Sequence, residues 1–338
     1  MHHAVVSSKP RTSPPALRLV KTNAMSREDW LSVRKTGIGS SDAAAAVGLN
    51  PYQSQLELWL IKTGRDAGLP VVDPQDETSP MYWGSLLEPI VAAHYTRLSG
   101  NRVRRINAVL QHPDPDKAWM LANIDREVMG APDVQILECK TAGEFGSRLW
   151  RDGVPEYVQL QVQHQLAVTG KQTADVCVLV CGQEIRIHRI QRDDELIARL
   201  IELERQFWHY VETDTPPPTD GSDSADQALR CLYPKDSGER MDWRDDRAMS
   251  ALFADLVAVR ADISSCEQIE AQLRQRLQER MGDASLALFE TGRISWKRSK
   301  DNTGIDLQKL LEEQPAIQQQ YAMTKPGSRR FLVQPDQD

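Results

Sequence analysis

The spacing of apolar residues along the chain predicts several helices and, in the middle of the sequence, a group of strands. Ser26, followed by Asp29 three positions later, is typical of a helix start, and Gly37 should end that helix. A short alanine-rich helix is expected to begin near Ser41. Further helices are predicted at 53–63, 81–98, 157–170 and 193–212, and strands at 102–111, 118–124, 132–140, 173–181 and 184–191.

A proline-rich segment indicates that the chain has two parts. TDTPPPTDGSDSAD, at 213–226, contains three prolines followed by small acidic residues, which is typical of a linker. We expect a flexible leader at 1–25, a main domain at 26–213, a linker at 214–226 and a smaller helical α+β module at 227–338. Within this module the pattern predicts a long helix at 246–281, strands between 286 and 298, and a helix from Asp306.

The long helix of the smaller module carries an apolar stripe, and a basic strand follows it. The residues of the stripe are Leu252, Leu256, Val259, Ile263, Ile269, Leu273 and Leu277. A stripe of this kind more often packs into a core or against a helical hairpin than against a partner. ISWKRSK, at 294–300, places basic residues around Trp296 and either follows a DNA backbone or protects an exposed edge strand.

Composition is that of a globular protein and argues against several classes. Hydrophobic residues make up 40% and charged residues 26%, and no apolar run approaches the roughly 18 residues of a membrane helix, so no membrane partner is expected. The five cysteines form no CxxC pair, which argues against a zinc ribbon or a cysteine-ligated cluster and favours the cytoplasm. A net charge of -7 argues against a non-specific nucleic-acid coat protein but permits an enzyme with an acidic metal site.

One predicted strand carries two charges where a buried strand should be dry. In VQILECKTA, at 134–142, Glu138 and Lys140 share a face and Cys139 points away, because side chains alternate along a strand. An unpaired buried charge is costly, so the two must be paired, hydrated or bound to something. They form either a structural ion pair or part of a site in which carboxylates hold Mg²⁺ and the lysine acts on water and phosphate.

Such a metal site would need a second carboxylate, and two aspartates precede Glu138. Asp133 lies five positions before it, an odd offset that places the two side chains on opposite faces. Asp125 ends the preceding apolar stretch, and a hairpin turn near Gly130 would bring it beside Glu138. We therefore choose Asp125 and expect Asp133 to face solvent or lie in a turn. A third acid, Glu88, falls within an apolar helix and either joins this site or faces solvent.

Four blocks of sequence together resemble the PD-(D/E)xK nuclease superfamily and, within it, the YqaJ-type viral recombinases, which are relatives of phage lambda exonuclease. The blocks are RKTGIGSSDAAAAVGLNPYQSQLELWLIKTG at 34–64, WGSLLEPIVAAHY at 83–95, MLANIDREV with ILECKTA within 120–142, and YVQLQVQHQLAVTG at 157–170. The resemblance covers about residues 26–213. It implies a restriction-endonuclease-like α/β core with a central mixed sheet flanked by helices.

The resemblance also implies an activity and its partners. Such enzymes are alkaline-type exodeoxyribonucleases that depend on Mg²⁺, for which Mn²⁺ substitutes. They degrade linear double-stranded DNA from its 5′ ends into mononucleotides and leave 3′ single-stranded overhangs for a single-strand annealing protein. They are typically homotrimeric rings. On this basis the smaller module is expected to guide DNA or to dock the annealing protein.

Site residues follow from the resemblance position by position. Asp125 and Glu138 match the metal ligands, with the backbone carbonyl of Cys139 as a further ligand. Lys140 matches the catalytic lysine and Glu88 the helix acid that supports the site. The positions that match the 5′-phosphate pocket are Arg34, Ser41, Gln161, Asn123 and Arg148, with Gln165 as a second candidate on the glutamine-rich helix. Asn123-Ile124 stands where the lambda-type enzyme has Ser-Pro.

Plain structural roles stay open for part of this set, as do two other functions. Arg34 could face solvent, and Ser41 could only cap a helix. The chain could be another DNA nuclease, RecB-like or Cas4-like, although iron–sulfur members need four suitably spaced cysteines that this sequence lacks. It could also be a non-catalytic DNA-end-binding recombination adaptor, which need not retain Asp125, Glu138 and Lys140 together.

Overall fold

The computed structural model describes residues 15–70, 73–324 and 327–335, and the chain divides into two compact units. The first unit ends at Tyr233 and the second begins at Pro234. Among the described residues, no helix combines the length and the apolar character that crossing a membrane requires.

The first unit contains helices and strands in mixed order. Its helices are α1 (Arg27–Lys35), α2 (Ala43–Ala46), α3 (Gln55–Lys62), α4 (Pro80–Ser99), α5 (Glu156–Thr169), α6 (Asp194–Glu212) and α7 (Asp223–Leu232). Its strands are β1 (Leu17–Lys21), β2 (Ile38–Gly39), β3 (Arg102–Arg104), β4 (Ala108–Gln111), β5 (Met120–Ala122), β6 (Arg126–Met129), β7 (Ile136–Ala142), β8 (Thr173–Val180) and β9 (Glu184–Gln191). Ser26 caps α1 as predicted, because its hydroxyl accepts a hydrogen bond from the backbone N–H of Asp29.

Five strands form the central sheet in the order β3-β6-β7-β8-β9. β7 and β8 run parallel and the other neighbours run antiparallel, so the sheet is mixed. Side chains of β7 alternate between two cores: Leu137 packs with Val91 and Tyr95 of α4, and Ile136 packs with Leu166 of α5. The predicted α/β core, with a central mixed sheet flanked by helices, is confirmed.

A second sheet, of four strands, has the order β1-β4-β5-β2 and was not expected from the sequence. The stretch predicted as one strand at 102–111 is divided between the sheets, because β3 joins the central sheet and β4 joins the second. The next predicted strand, 118–124, contains β5 of the second sheet, and β6, which the pattern did not predict, follows it in the central sheet. Asp125 consequently lies in the short connection between two sheets.

The predicted leader and linker both contain parts of the first unit. β1 lies within the predicted leader and pairs with β4; the leader's residues 1–14 lie outside the described residues. After the prolines, Ser222 caps α7, which packs on α3. Ser224 of α7 donates a hydrogen bond to Glu57 of α3 at 2.5 Å and accepts one from the backbone N–H of Ser54 at 2.8 Å. The boundary therefore falls later than predicted, because the small acidic residues begin a helix.

The second unit contains the elements that the pattern predicts. They are α8 (Arg247–Met281), the strands β10 (Leu286–Phe289) and β11 (Gly292–Ser295), α9 (Leu307–Glu313) and α10 (Pro315–Gln320). β10 and β11 form an antiparallel hairpin. None of the α8 residues, all of which are described, is buried. The interpretation of its apolar stripe as core or hairpin packing is therefore wrong for this unit by itself.

A close backbone approach fixes β2 beside β5. A Cβ atom at Gly37 would lie 2.4 Å from the carbonyl oxygen of Trp119 and 2.8 Å from Cγ of Leu121. The adjacent N–H of Ile38 donates to the same Trp119 carbonyl at 2.7 Å, so the backbone cannot easily move away. Glycine is therefore required at this position.

We predict that Gly37→Ala lowers the free energy of unfolding by about 1–3 kcal/mol, because the added methyl group overpacks a rigid site. Urea denaturation measures the change. Gly143→Ala is the matched control, because a Cβ there meets nothing within 4 Å. Equal stability of the two variants would contradict the packing argument.

Candidate active site

The hairpin of β6 and β7 brings two carboxylates together. Arg126 of β6 is the register partner of Leu137 of β7, so Asp125 is placed opposite Glu138. Oδ2 of Asp125 accepts a hydrogen bond of 2.8 Å from the backbone N–H of Cys139. Gly130, with φ of +75°, supplies the left-handed residue after β6. The structure thus places Asp125 and Glu138 side by side, as the hairpin argument expects.

Lys140 shares the face of Glu138 and pairs with it. The Lys140 ammonium lies 2.7 Å from Oε1 of Glu138, and the lysine side chain keeps a quarter of its surface exposed. Gln161 of α5 bridges the pair: it accepts from Lys140 at 2.9 Å and donates to Glu138 at 2.5 Å. Gln165, one turn later, donates to the other oxygen of Glu138 at 2.8 Å. Both glutamines therefore hold the acid and the lysine in place.

A cavity of about 310 Å³ opens between α4 and β7 at this point. Its lining includes Glu88, Asp125, Glu138 and Lys140. Burial and then the charge of Glu138 raise the pKa of Asp125 to about 8. Burial alone would lower the pKa of Lys140, but the charge and hydrogen bond of Glu138, together with the charge of Asp125, outweigh burial and raise the pKa, so this lysine is an ammonium at neutral pH.

Glu88 lines the cavity but is paired with a residue that sequence reasoning missed. Arg126 forms an ion pair with Glu88 and donates to the backbone carbonyl of Asp125 at 2.7 Å. Its guanidinium therefore ties the helix acid of α4 to the connection that carries Asp125. The signal was available, because Arg126 directly follows the proposed metal ligand in the sequence.

Asp125 and Glu138 are the residues that could hold a divalent cation here. Among the described residues, no group of three or more histidine, cysteine or acidic side chains is gathered as a metal site. Two carboxylates suffice for Mg²⁺, which usually binds through one or two carboxylates and keeps several waters. Burial first, and then the charge of Glu138, raise the pKa of Asp125, and a cation bound at this carboxylate would favour its charged form.

The predicted phosphate-pocket residues Arg34 and Ser41 lie together. The Arg34 guanidinium donates to the Ser41 hydroxyl at 2.8 Å, stacks over the ring of Trp30 with 4.9 Å to the ring centroid, and pairs with Asp42. Ser41 is exposed, so its hydroxyl and the guanidinium can be reached from solvent. Arg34 is thus neither a free surface residue nor fully buried.

Asp42 and Lys62 hold Arg34 in place, and neither residue was predicted from the sequence as part of the site. Lys62 of α3 is buried and donates to Asp42 at 2.7 Å and to the Arg34 carbonyl at 2.8 Å. Burial alone would raise the pKa of Asp42, but Arg34 and then Lys62 hold it well below its usual range. Burial lowers the pKa of Lys62. A lysine in the apolar run of α3 was the available signal for a buried ion pair.

Gln161 belongs to the cavity of Glu138 and Lys140, while the other predicted pocket residues are spread more widely. The segment Ser40–Asp42 packs against α5, the helix that carries Gln161. The amide of Asn123 donates to the Ala108 carbonyl at 3.4 Å. Arg148 lies exposed in a short 3-10 helix. The structure therefore joins Arg34 to Ser41, and Gln161 to the acids, without bringing Arg148 into either group.

His164 fixes α5 from its other side. Its two ring nitrogens lie 2.7 Å from a carboxylate oxygen of Glu204 in α6 and 2.9 Å from the carbonyl of Leu121 in β5. Both partners are acceptors, so the ring donates from both nitrogens and is an imidazolium. Burial alone would lower the pKa of His164, but the charge and hydrogen bond of Glu204, together with the hydrogen bond to the Leu121 carbonyl, outweigh burial and raise the pKa. This buried pair locks the glutamine-bearing helix between β5 and α6.

Asp133 is excluded from the cavity by its position. Its side chain is 60% exposed and pairs with Arg189 of β9. A search for Pro-Asp upstream of the E-x-K triplet would have selected Asp133, which belongs to this surface ion pair, instead of Asp125.

We predict that the metal-free protein loses stability as pH rises from about 4 to about 8. A carboxyl whose pKa is raised by folding stabilises the native state fully below its unfolded value of 3.8, and this contribution disappears as pH rises through about 8. Urea denaturation in chelator at pH 6 and pH 9 measures the loss. His164 titrates in the same direction, so the readout is the difference between wild type and Asp125→Asn, which should show a smaller loss. Equal losses would contradict the assignment.

Comparison with known proteins agrees with the sequence resemblance. The family model described as the YqaJ-like viral recombinase domain matches residues 29–172. The uncharacterized protein YqaJ of Bacillus subtilis (strain 168) is 35% identical over 329 residues, which cover 95% of this chain and 98% of that protein.

Two solved structures are also similar. An alkaline exonuclease, LHK-Exo, from Laribacter hongkongensis is 24% identical, with a TM-score of 0.46, over 55% of this chain and 93% of its own. A phage-related exonuclease from Haemophilus somnus 129PT is 12% identical, with a TM-score of 0.37, over 55% and 99%. The match to YqaJ extends over nearly the whole of both chains, and the protein therefore belongs to the YqaJ-like viral recombinase family.

Proposed function

We propose that the protein is a Mg²⁺-dependent exonuclease that degrades linear double-stranded DNA from its 5′ ends. Its products are 5′ mononucleotides and a 3′ single-stranded overhang for single-strand annealing recombination. The observation that carries this proposal is the pairing of Asp125 with Glu138 in one cavity, with Lys140 on the same face. Family membership supports a role in recombination.

Asp125 and Glu138 would hold the cation, with the Cys139 carbonyl as a further ligand, and Mn²⁺ would substitute for Mg²⁺. When bound, the cation activates water for attack on phosphorus and neutralises the leaving 3′ oxygen. Lys140 carries a positive charge and has its exposed end in the cavity, so it orients that water and offsets the charge of the scissile phosphate. Gln161 keeps the ammonium from rotating away.

The direction of digestion would come from the terminal phosphate. Arg34 and Ser41 present a guanidinium and a hydroxyl at the start of a short helical segment, and these groups suit a phosphate dianion. Asp42 holds the guanidinium, and Lys62 holds both Asp42 and the Arg34 backbone carbonyl, so the pocket would be formed before DNA arrives. Gln161, Asn123 and Arg148 are further candidates for this contact. A 5′ phosphate seated there would set the first internal linkage over the carboxylates.

The partners of this activity are proposed with it. DNA ends are the substrate, a single-strand annealing protein would receive the overhang, and a homotrimeric ring would keep the enzyme on its duplex. The expected compartment is the cytoplasm. A non-catalytic end-binding adaptor and another RecB-like or Cas4-like nuclease are the competing functions. The pairing of Lys140 with Glu138, which lies beside Asp125, favours an active enzyme over the adaptor, because an inert core has no need for it.

We predict that Asp125→Asn and Glu138→Gln abolish digestion of linear duplex, and that Lys140→Met slows it by at least about 100-fold, because a charge that stabilises the transition state is lost. Gel analysis of end-labelled duplex in Mg²⁺, Mn²⁺ or EDTA measures the rates. All three variants should still bind DNA ends. Lys171→Met, which removes a half-buried lysine of the same unit outside the cavity, is the control. Wild-type protein that binds ends without digesting them would establish the adaptor instead.

We predict that Arg34→Ala reduces the preference for 5′-phosphorylated over unphosphorylated ends by about 10- to 100-fold, the value of a charge-assisted hydrogen bond of about 1.5–3 kcal/mol. Arg65→Ala is the matched control, because Arg65 also stacks on a tryptophan at 4.9 Å and pairs with an aspartate, Asp214, but does so elsewhere. The rates of digestion of 5′-phosphorylated and unphosphorylated duplex are measured for each variant, and the ratio of the two rates gives the preference. An unchanged preference in Arg34→Ala would refute the pocket.

A further inference from the structure

The helix α8 is long and presents an uncovered apolar stripe. It spans 35 residues, and none of them is buried. Five stripe residues remain more than half exposed: Leu252 61%, Val259 52%, Ile263 52%, Ile269 53% and Leu273 55%. Scattered apolar residues on a surface need no explanation, but a continuous stripe along a helix indicates a partner surface.

The spacing of the stripe is that of a coiled coil. Nine residues along one face of α8, which we call the seam, follow one another at alternating steps of four and three residues. This alternation is the seven-residue repeat of supercoiled helices. The seam positions are Leu252, Leu256, Val259, Ile263, Cys266, Glu270, Leu273, Leu277 and Arg280. The seam is about 42 Å long at 1.5 Å per residue. Its apolar positions lie toward both ends, and the polar Glu270 near the middle can fix one register.

Charges beside the seam distinguish the two ways of pairing α8 with a second copy of itself. In an antiparallel pair with Leu256 facing Leu273 of the other copy, Asp255 lies beside Arg276 and Arg260 beside Glu267. Both contacts are attractive, and the two-fold symmetry of such a pair repeats each of them.

A parallel pair would be penalised by the same charges. It would stack Glu270 on its own copy in the seam and would set Asp262 against Glu267 of the other helix. Like charges in these positions are destabilising. The one attractive flanking contact of the parallel pair would be Asp255 beside Arg260. The charge pattern of α8 therefore favours the antiparallel direction over the parallel one.

A groove in the second unit fits the same alignment. It has a volume of about 380 Å³ and lies between the end of α8 and the β10–β11 hairpin, with Leu273, Arg274, Leu277 and Trp296 in its lining. In the antiparallel pair, Phe253 of the other copy falls beside Arg274. Phe253 is 47% exposed, and its ring would enter a groove that offers apolar contact and a guanidinium.

We propose that α8 pairs with α8 of a second copy of this chain as an antiparallel coiled coil, with Leu256 facing the partner's Leu273. The pairing is independent of the nuclease chemistry. If the nuclease units form rings, it joins two rings, and if they do not, it joins two chains. In both cases breaking it halves the molecular mass.

Cross-linking of the full chain tests the direction of pairing. The background is Cys181→Ser with Cys266→Ser, which removes the exposed cysteines. Leu256→Cys and Leu273→Cys are made separately in that background. Under mild oxidation, the antiparallel pair gives a disulfide-linked dimer only when the two variants are mixed. A parallel pair would instead cross-link each variant with itself, which would overturn the proposal.

Charge reversal tests the contacts in solution, with mass measured by light scattering. Arg260→Glu should halve the mass, because it sets two acids together, and Arg260→Glu with Glu267→Arg should restore it. Arg240→Glu, which changes the net charge equally outside α8, should leave the mass unchanged. No cross-link in the mixture, together with a mass unaffected by Arg260→Glu, would show that α8 does not pair with itself.

Discussion

The structure of the candidate active site depends on one constraint: two carboxylates, Asp125 and Glu138, are held beside each other by the register of β6 and β7. A backbone hydrogen bond from Cys139 orients the first, and two glutamines orient the second. Burial first, and then the charge of Glu138, raise the pKa of Asp125, so the protein by itself disfavours a second negative charge in this site. The fold keeps this arrangement because the rest of the unit packs around it.

Buried polar groups around the site do most of that positioning. His164 ties α5 to β5 and α6, and Arg126 ties α4 to the connection before β6. Lys62 ties α3 to the segment that carries Arg34. Each tie joins elements far apart in sequence, and each buries a charge that is compensated only in this fold.

Much of the fold and the central residues of the site could be predicted from the sequence. Period-two alternation separates Glu138 and Lys140 from Cys139, and an odd offset removes Asp133, because these depend only on local geometry. The division of 102–111 between two sheets could not be predicted, since periodicity does not show which sheet a strand joins. Two ion pairs, Asp42 with Lys62 and Arg126 with Glu88, could not be predicted either. A buried ion pair depends on contacts between distant segments. The domain boundary was predicted too early for another reason: the last residues of the proline-rich segment cap and begin α7.

The location of Asp125 between β5 and β6 has a consequence for reading mutational data. The two sheets meet through one shared core that includes Met120, Ile136 and Val176. Any substitution that tilts one sheet against the other changes the gap between the carboxylates without touching them. Loss of activity in a well-folded variant therefore need not identify a residue that contacts DNA, and the spacing of the acids is as much a property of the hydrophobic interior as of the acids themselves.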